Sequence, residues 1–115
     1  MNVARRKEKY GAAMELWEIL VPTRYGTTEK FIRTRHHKEW DKKVRKISGG
    51  LTILPVAKGQ WLYNHTLVEE RVIPVRIACS ESQIDAIIKF TLKHYRQEAV
   101  MAYRLSSFVK LVSNE

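Results

Sequence analysis

The sequence predicts an α+β fold, a ferredoxin-like β-α-β-β-α-β sandwich in which two helices cover one face of a four-stranded antiparallel sheet. Three observations lead to it: segments in which apolar and polar residues alternate, two segments whose apolar residues recur every three or four positions, and the order of these segments. Strand, helix, strand, strand, helix, strand make two split β-α-β units, which close most naturally into such a sheet.

The first strand and the first helix lie in the first half of the chain. A strand of period two is predicted from Glu15 until Pro22 ends it. Its apolar side consists of Trp17, Ile19 and Val21. The helix that follows has one apolar stripe set among Lys, Arg and Glu residues, made of Ile32, His36, Trp40, Val44 and Ile47. Gly49 and Gly50 are expected to end this helix.

The middle of the chain predicts two further strands. Residues 51–56 form a strand that Pro55 assigns to a sheet edge, because proline cannot donate a ladder hydrogen bond. Asn64 and His65 then form a turn, and a strand runs from about Leu67 to Cys79. Its helix-facing side is predicted to carry Ile73, Val75 and Ile77.

A second helix and a last strand complete the fold. Ser80 and Gln83 form a Ser-x-x-Gln capping box that begins the helix. Its buried stripe is predicted to be Ile84, Ile87, Ile88, Thr91, Leu92 and Tyr95. The fourth strand is expected at residues 99–105, with a break at Ser106 and Ser107 and an extension over residues 108–112.

Composition limits the class of protein. With 115 residues and 44% hydrophobic residues, we expect one domain over residues 13–115, preceded by a basic arm over residues 1–12. The single cysteine, Cys79, has no partner for an internal disulfide. No apolar run reaches the length of a signal peptide or a membrane span. A cytoplasmic protein without membrane contact is therefore expected.

The net charge of +9 is concentrated in the first half, where residues 1–48 hold 13 Lys and Arg against six acids. Such a surplus makes nucleic acid a candidate partner, because Lys and Arg near phosphates release counterions. Anionic metabolites would also suit this charge, and a basic surface can serve solubility alone. The candidate contact surface is the arm and the polar side of the first helix: Arg5, Arg6, Lys7, Lys9, Lys38, Lys42, Lys43, Arg45 and Lys46.

The sheet face opposite the helices is predicted to be too apolar to stay in water. The residues expected on it are Val72, Pro74, Ala78, Val100 and Ala102. Association through this face would cover them. The sequence therefore predicts a homo-oligomer.

Candidate chemistry centres on a pair of acids and two aromatic residues. Glu69 and Glu70 are adjacent, so strand alternation directs them to opposite faces, Glu69 to the core side and Glu70 to the open face. Trp61 and Tyr63 share one side of the preceding segment, where adenine or a sulfonium cation could contact their rings. A solvated strand end and core packing of Trp61 are the structural alternatives.

The remaining reactive side chains give little support for catalysis. His36 is expected to be a hydrogen-bonded, partly buried residue, and His37 and His94 to lie on or near solvated faces. No metal-ligand spacing occurs among the histidines, so no metal and no cofactor are predicted. Cys79 is expected to be a buried thiol rather than a nucleophile.

The motifs resemble those of the phage-encoded S-adenosylmethionine (SAM) lyases, formerly called SAM hydrolases, over roughly residues 17–112. They are Arg35-His36 with Trp40 and Arg45, Gly50, Gly59-x-Trp61, Glu69-Glu70, Val75-Arg76-Ile77-Ala78-Cys79, and Gln97-Glu98-x-Val100-x-x-Tyr103. The spacing between the glutamate pair and the following strand is longer here than in one member of that family. A second resemblance is to an uncharacterised family of small ferredoxin-like proteins, many of them exported. It rests on Gly50-Leu51-Thr52, Gly59-Gln60-Trp61, Glu70 and Gln97-Glu98-x-Val100.

The lyase resemblance implies an enzyme that deprives host restriction and modification systems of SAM, acting in the host cytoplasm as a trimer with its sites between subunits. The substrate's carboxylate attacks its own γ-carbon, which releases methylthioadenosine and homoserine lactone without a metal or a protein nucleophile. Glu69 is implied as the catalytic residue, or as a general base if water attacks instead. The implied substrate contacts are Trp61, Tyr63, Glu70, Gln97 and Tyr103. The alternative is a basic nucleic-acid-binding or regulatory module without enzymatic activity.

Overall fold

The computed structural model describes residues 14–25 and 30–114, so the predicted arm over residues 1–12 lies outside the described part. Two helices pack on one face of an antiparallel sheet, and the predicted α+β ferredoxin-like fold is confirmed. The elements, in chain order, are β1 Glu15–Pro22, α1 Thr34–Ser48, β2 Thr52–Ile53, β3 Ala57–Tyr63, β4 Thr66–Cys79, α2 Glu81–His94 and β5 Ala102–Ser106.

The sheet has five strands in the described chain, not the predicted four, and β4 is its longest member at 14 residues. The second half of β4 lies between β1 and the short edge strand β2. Its first half pairs with β3, which lies off the main path of the sheet. The β3–β4 hairpin therefore extends beyond the rest of the sheet. The segment before the Asn64–His65 turn is a strand, β3.

The core lies between the helices and the sheet. Ile19 and Val21 of β1 face the helices together with Val75 and Ile77 of β4. These four residues are at most 2% exposed, as their alternation predicts. Trp40 of α1 packs against them and is 1% exposed. Burying each of these side chains contributes about 1.5–3 kcal/mol, so this layer fixes how the helices sit on the sheet.

The helix ends follow their local sequence. Gly49 ends α1 with a φ of 94°, in the left-handed region that glycine adopts without strain. Ser80 begins α2 through the predicted capping box, in which its hydroxyl accepts from the Gln83 N–H and its own N–H donates to the Gln83 side chain. Both boundaries are therefore set by residues next to each helix.

Three predictions about the strands are wrong. The edge strand predicted over residues 51–56 is regular only at Thr52 and Ile53, because the chain loses its ladder pairing around Pro55. The last strand ends at Ser106, and residues 108–112 are not a strand. Val100 and Ala102 pack against the core cluster rather than lying on the open face, because Ala102 pairs with the core residue Ile19.

Candidate functional site

The β3–β4 hairpin carries four of the predicted site residues. Its turn consists of Asn64 and His65, whose φ angles of 49° and 65° lie in the left-handed region, as a two-residue hairpin turn of type I′ requires. The tight turn fixes which residues of β3 and β4 are paired along the hairpin. The predicted site residues on this hairpin are Trp61, Tyr63, Glu69 and Glu70.

The two glutamates lie on opposite sides of the hairpin, as predicted. Glu70 is paired with Gly59, and directly opposed residues share a side of an antiparallel ladder. Alternation along β3 puts Trp61 and Tyr63 on that same side. Glu70, rather than Glu69, is therefore the carboxylate that accompanies the two aromatic residues.

Glu69 lies among polar side chains on the other side. One of its carboxylate oxygens accepts a hydrogen bond of 2.9 Å from the side-chain amide of Gln60, and the other is 3.9 Å from the Lys58 ammonium. Partial burial raises the pKa of the Glu70 carboxyl above its usual value. The catalytic role predicted for Glu69 stays a prediction.

Trp61 folds back over Gly59. A Cβ atom placed on Gly59 would lie 2.7 Å from Cζ3 and 3.3 Å from Cη2 of the indole, which is closer than side-chain atoms normally approach. Trp61 is 41% exposed and Tyr63 is 69% exposed. The hairpin thus presents two aromatic side chains to solvent, and the absence of a side chain at Gly59 lets the indole lie on the backbone.

A second group of polar side chains lies on the open face of the sheet. Glu18 of β1 is only 7% exposed, and its carboxylate accepts hydrogen bonds from the Tyr103 hydroxyl and, at 3.0 Å, from Nε of Arg76. Burial would raise the pKa of Glu18, but the bonds from Tyr103 and Arg76 and the Arg76 charge outweigh it, so the pKa is lowered. The bond to Glu18 raises the pKa of Tyr103.

The sequence predicts a substrate contact at Tyr103 but no role for Glu18 or Arg76. The one sequence feature that could have indicated this group is the position of Glu18, an acid in the middle of a strand whose other face packs into the core. The pairing itself joins residues 58 and 85 positions apart, so local patterns do not contain it. Glu18 and its two partners cross three neighbouring strands and are a site candidate in their own right.

One chain does not bring all the predicted site residues together. Glu70 and Arg76 lie on the same side of β4 but six residues apart, about 20 Å along an extended strand. Gln97 follows α2, where its side-chain amide donates to the backbone oxygens of Tyr95 at 3.2 Å and Arg24 at 3.3 Å. The six predicted site residues therefore lie in three regions. Trp61, Tyr63, Glu69 and Glu70 lie on the hairpin, Tyr103 on the open face and Gln97 after the end of α2.

Histidines form a third cluster, where α1 begins and α2 ends. The rings of His36 and His94 stack with centroids 3.7 Å apart and planes 6° from parallel. Each ring's Nε2 donates to the other residue's backbone oxygen at 2.8 Å. The partly buried His36 was predicted, and His37 and His94 were expected on or near solvated faces. His37 shares a bond of 2.8 Å with the Tyr95 hydroxyl, and both histidines are partly buried.

The cluster contains a possible set of metal ligands, since side-chain donor atoms of His36, Glu39 and His94 lie within 4.8 Å of one another. The two Nε2 atoms donate to carbonyl oxygens, which leaves Nδ1 of each ring with the lone pair. That lone pair lies in the ring plane. The two rings are stacked and nearly parallel, so an ion about 2.0–2.1 Å from both Nδ1 atoms could not lie in the plane of both rings. As arranged, the two rings do not fit one ion.

Cys79 is the buried thiol that the sequence predicts. Its side chain is 0% exposed, and burial, with a smaller contribution from Glu15, raises the pKa of the thiol to about 12. A thiol with so high a pKa carries almost no thiolate at neutral pH. Cys79 therefore acts as a core residue.

Comparison with known proteins shows which class of fold this is. No protein-family model matches the chain, and no curated protein matches it in sequence. Among solved structures, CutA1 from the psychrotrophic bacterium Shewanella sp. SIB1 superposes with a TM-score of 0.65 at 10% identity, covering 86% of this chain and 85% of that one. CutA1 from Oryza sativa gives 0.62 at 13% identity, with 87% and 83% covered.

A phage SAM lyase solved in complex with S-methyl-5'-thioadenosine superposes with a TM-score of 0.63 at 15% identity, covering 84% of each chain. Identities this low show a shared fold and no more. The chain is thus an α+β ferredoxin-like protein of the architecture shared by the CutA1 proteins and this lyase. No helix within residues 14–25 and 30–114 is both long and apolar enough to cross a membrane.

Proposed function

We propose that this protein is a SAM lyase that acts as a homo-oligomer, with a site completed by a second subunit. The observation that carries the proposal is the aromatic and acidic face of the hairpin, formed by Trp61, Tyr63 and Glu70. Sulfonium cations are attracted to aromatic faces, and a carboxylate beside the rings suits the substrate's positive charges. The likeness to a lyase solved with methylthioadenosine supports it.

The reaction needs positioning rather than a protein nucleophile. An oxygen of the substrate carboxylate forms a bond to its γ-carbon while the bond from that carbon to sulfur breaks and its electron pair goes to sulfur. Methylthioadenosine and homoserine lactone result. The aromatic face would hold the sulfonium and adenine, and a guanidinium such as Arg76 could orient the carboxylate, as bidentate pairs do. Folding the methionyl chain into its attack conformation supplies most of the catalysis.

A second subunit is invoked because the hairpin and the Glu18, Arg76 and Tyr103 group are separated within one chain. Large apolar side chains are exposed around both regions. Leu62 and Leu67 at the hairpin are 74% and 55% exposed, and Met101 beside β5 is 59% exposed. A neighbouring copy covering these residues would bring a hairpin to another chain's open face. A trimer remains the expected assembly, and light scattering of the purified protein tests it.

The deciding experiment incubates purified protein with SAM and follows methylthioadenosine by chromatography. Mass spectrometry of the amino-acid product, with the reaction run in ¹⁸O-water, distinguishes the two reactions. A lyase forms homoserine lactone. Direct hydrolysis forms homoserine whose side-chain hydroxyl carries the ¹⁸O label. Absence of methylthioadenosine, with the protein shown to be folded, would refute the proposal.

Three variants locate the site. Glu70→Gln is expected to lower kcat/KM by about 10- to 100-fold, the loss of one charge-assisted contact of about 1.5–3 kcal/mol. Glu69→Gln tests the catalytic role that the resemblance implies for Glu69. If it lowers kcat/KM more than Glu70→Gln does, Glu69 is the catalytic residue. The control is Asp85→Asn, an exposed acid on α2, which should leave turnover unchanged.

The alternative, a nucleic-acid-binding module, is favoured by one observation. The basic residues of α1 that the sequence singled out are all exposed: Lys38, Lys42, Lys43, Arg45 and Lys46. If this surface binds phosphate backbones, retention on DNA or RNA should fall steeply with salt concentration. Retention without SAM turnover would favour this function over the lyase.

A further inference from the structure

A cleft on the helix side of the molecule remains outside the proposed lyase site. It has a volume of about 580 Å³ and lies where α1 begins and α2 ends. The residues that line it are Tyr25, Lys30, His36, Lys93, His94 and Arg96. Among the described residues, three cationic side chains and no carboxylate line the cleft, and the nearby Glu39 carboxylate lies 3.7 Å from Nδ1 of His36.

Arg96 occupies a backbone position that favours glycine. Its φ is 54°, and it follows the cap residue of α2. The Gln97 N–H donates to the Leu92 oxygen at 3.0 Å and the Arg96 N–H to the Lys93 oxygen at 3.4 Å. These two bonds define a Schellman motif, whose left-handed position is usually glycine because a Cβ atom is strained there. The backbone accounts for a glycine at this position and gives no reason for arginine.

The helix dipole explains only part of the charge. Cations in the last turn of a helix offset its negative end, which accounts for Lys93. It does not account for Arg96, which lies beyond the helix, or for Lys30, which precedes α1. Tyr25 and Lys30 also take part in other interactions, so Lys93 and Arg96 are the cations that define the site.

The walls of the cleft are held in place before any ligand arrives. The reciprocal bonds between His36 and His94 tie the first turn of α1 to the last turn of α2. The Tyr25 N–H donates to the Lys30 oxygen at 3.1 Å, which joins two of the lining residues on the third side. A preorganised cleft loses less entropy on binding than a flexible surface does.

We propose that this cleft binds a small organic phosphate, with Lys93 and Arg96 as its principal contacts. A guanidinium and an ammonium together suit the multiple charges and oxygens of a phosphate. The volume lies within the about 300–1,000 Å³ of small-molecule sites, so an organic body fits beside the phosphate. SAM is a poor candidate, because its sulfonium and ammonium groups would meet cations here. The cleft lies on the opposite face of the sheet from Glu18 and is independent of the lyase site.

Isothermal titration calorimetry of the full chain with AMP, pyrophosphate and citrate tests the proposal. AMP and pyrophosphate should bind one per chain, more tightly than citrate. Arg96→Gly and Lys93→Gln should each weaken binding by about tenfold or more. Lys89→Gln removes the same charge one turn earlier on α2, outside the cleft, and should change affinity by less than about twofold.

Thermal melting supplies a second readout. Arg96→Gly should raise the Tm without ligand, because glycine relieves the left-handed position, while SAM turnover stays at the wild-type level. If it fails to fold, Lys93→Gln carries the test alone. The proposal is overturned if AMP does not bind, if citrate binds equally well, if Lys89→Gln weakens binding as much as Lys93→Gln, or if only an oligonucleotide binds.

Discussion

Replacing Gly59 with alanine tests the packing of the aromatic hairpin. The new Cβ would lie 2.7 Å from Cζ3 of Trp61, whereas ordinary contacts begin at 3.4 Å, so the indole must move by about 0.7 Å or more. The ring is 41% exposed and can move outward without opening a core cavity. Alanine also lowers the entropy of the unfolded chain relative to glycine. We therefore expect the free energy of unfolding to change by less than about 0.5 kcal/mol.

The expected effect on turnover is larger. A misplacement of about 1 Å in a positioning group can cost about 100-fold in rate. If Trp61 holds the substrate, Gly59→Ala should lower kcat/KM by about 10- to 100-fold while the protein stays folded. Urea unfolding and the methylthioadenosine assay measure the two quantities separately.

The movement of the ring has its own assay. The ¹H–¹⁵N spectrum contains one indole N–H signal for each of the three tryptophans, Trp17, Trp40 and Trp61, and only the Trp61 signal should shift in Gly59→Ala. Gln60→Ala is the matched control, because it removes the bond to Glu69 on the other side of β3. An unchanged Trp61 signal, or a loss of more than about 2 kcal/mol of stability, would refute the reasoning.

Two further predictions concern the helix layer. Burial, with the neighbouring imidazoles, holds the pKa of His37 below 6.5 in the folded protein, so the unfolded chain binds the proton more readily. Stability should then fall as the pH decreases below about 6.5, and urea unfolding of His37→Gln should show a shallower loss, the difference not exceeding about 1.4 kcal/mol per pH unit. Trp40→Phe removes the bond of 2.9 Å to the Thr91 hydroxyl and part of a side chain that is 1% exposed. It should cost about 2–4 kcal/mol in chemical denaturation, and a cost below about 1 kcal/mol would contradict this packing.

The sequence by itself determined the elements whose causes are local. Alternation predicted β1 and β4, and the three-to-four spacing predicted both helices. Gly49 and Ser80 marked two helix boundaries correctly. The same alternation placed Glu69 and Glu70 on opposite sides of β4. These features depend on residues within a few positions of one another, so the order of side chains along the chain is enough to predict them.

Tertiary structure alone decided which distant residues meet. The predicted edge strand is regular only at Thr52 and Ile53, and Ala102 packs against the core. Both differ from the prediction because strand pairing and register depend on packing between segments. Glu18 meets Tyr103 across 85 positions. Lys93 and Arg96 line one cleft with Lys30 because the second helix ends where the first begins. Contacts between remote segments depend on the whole fold, which no local pattern encodes.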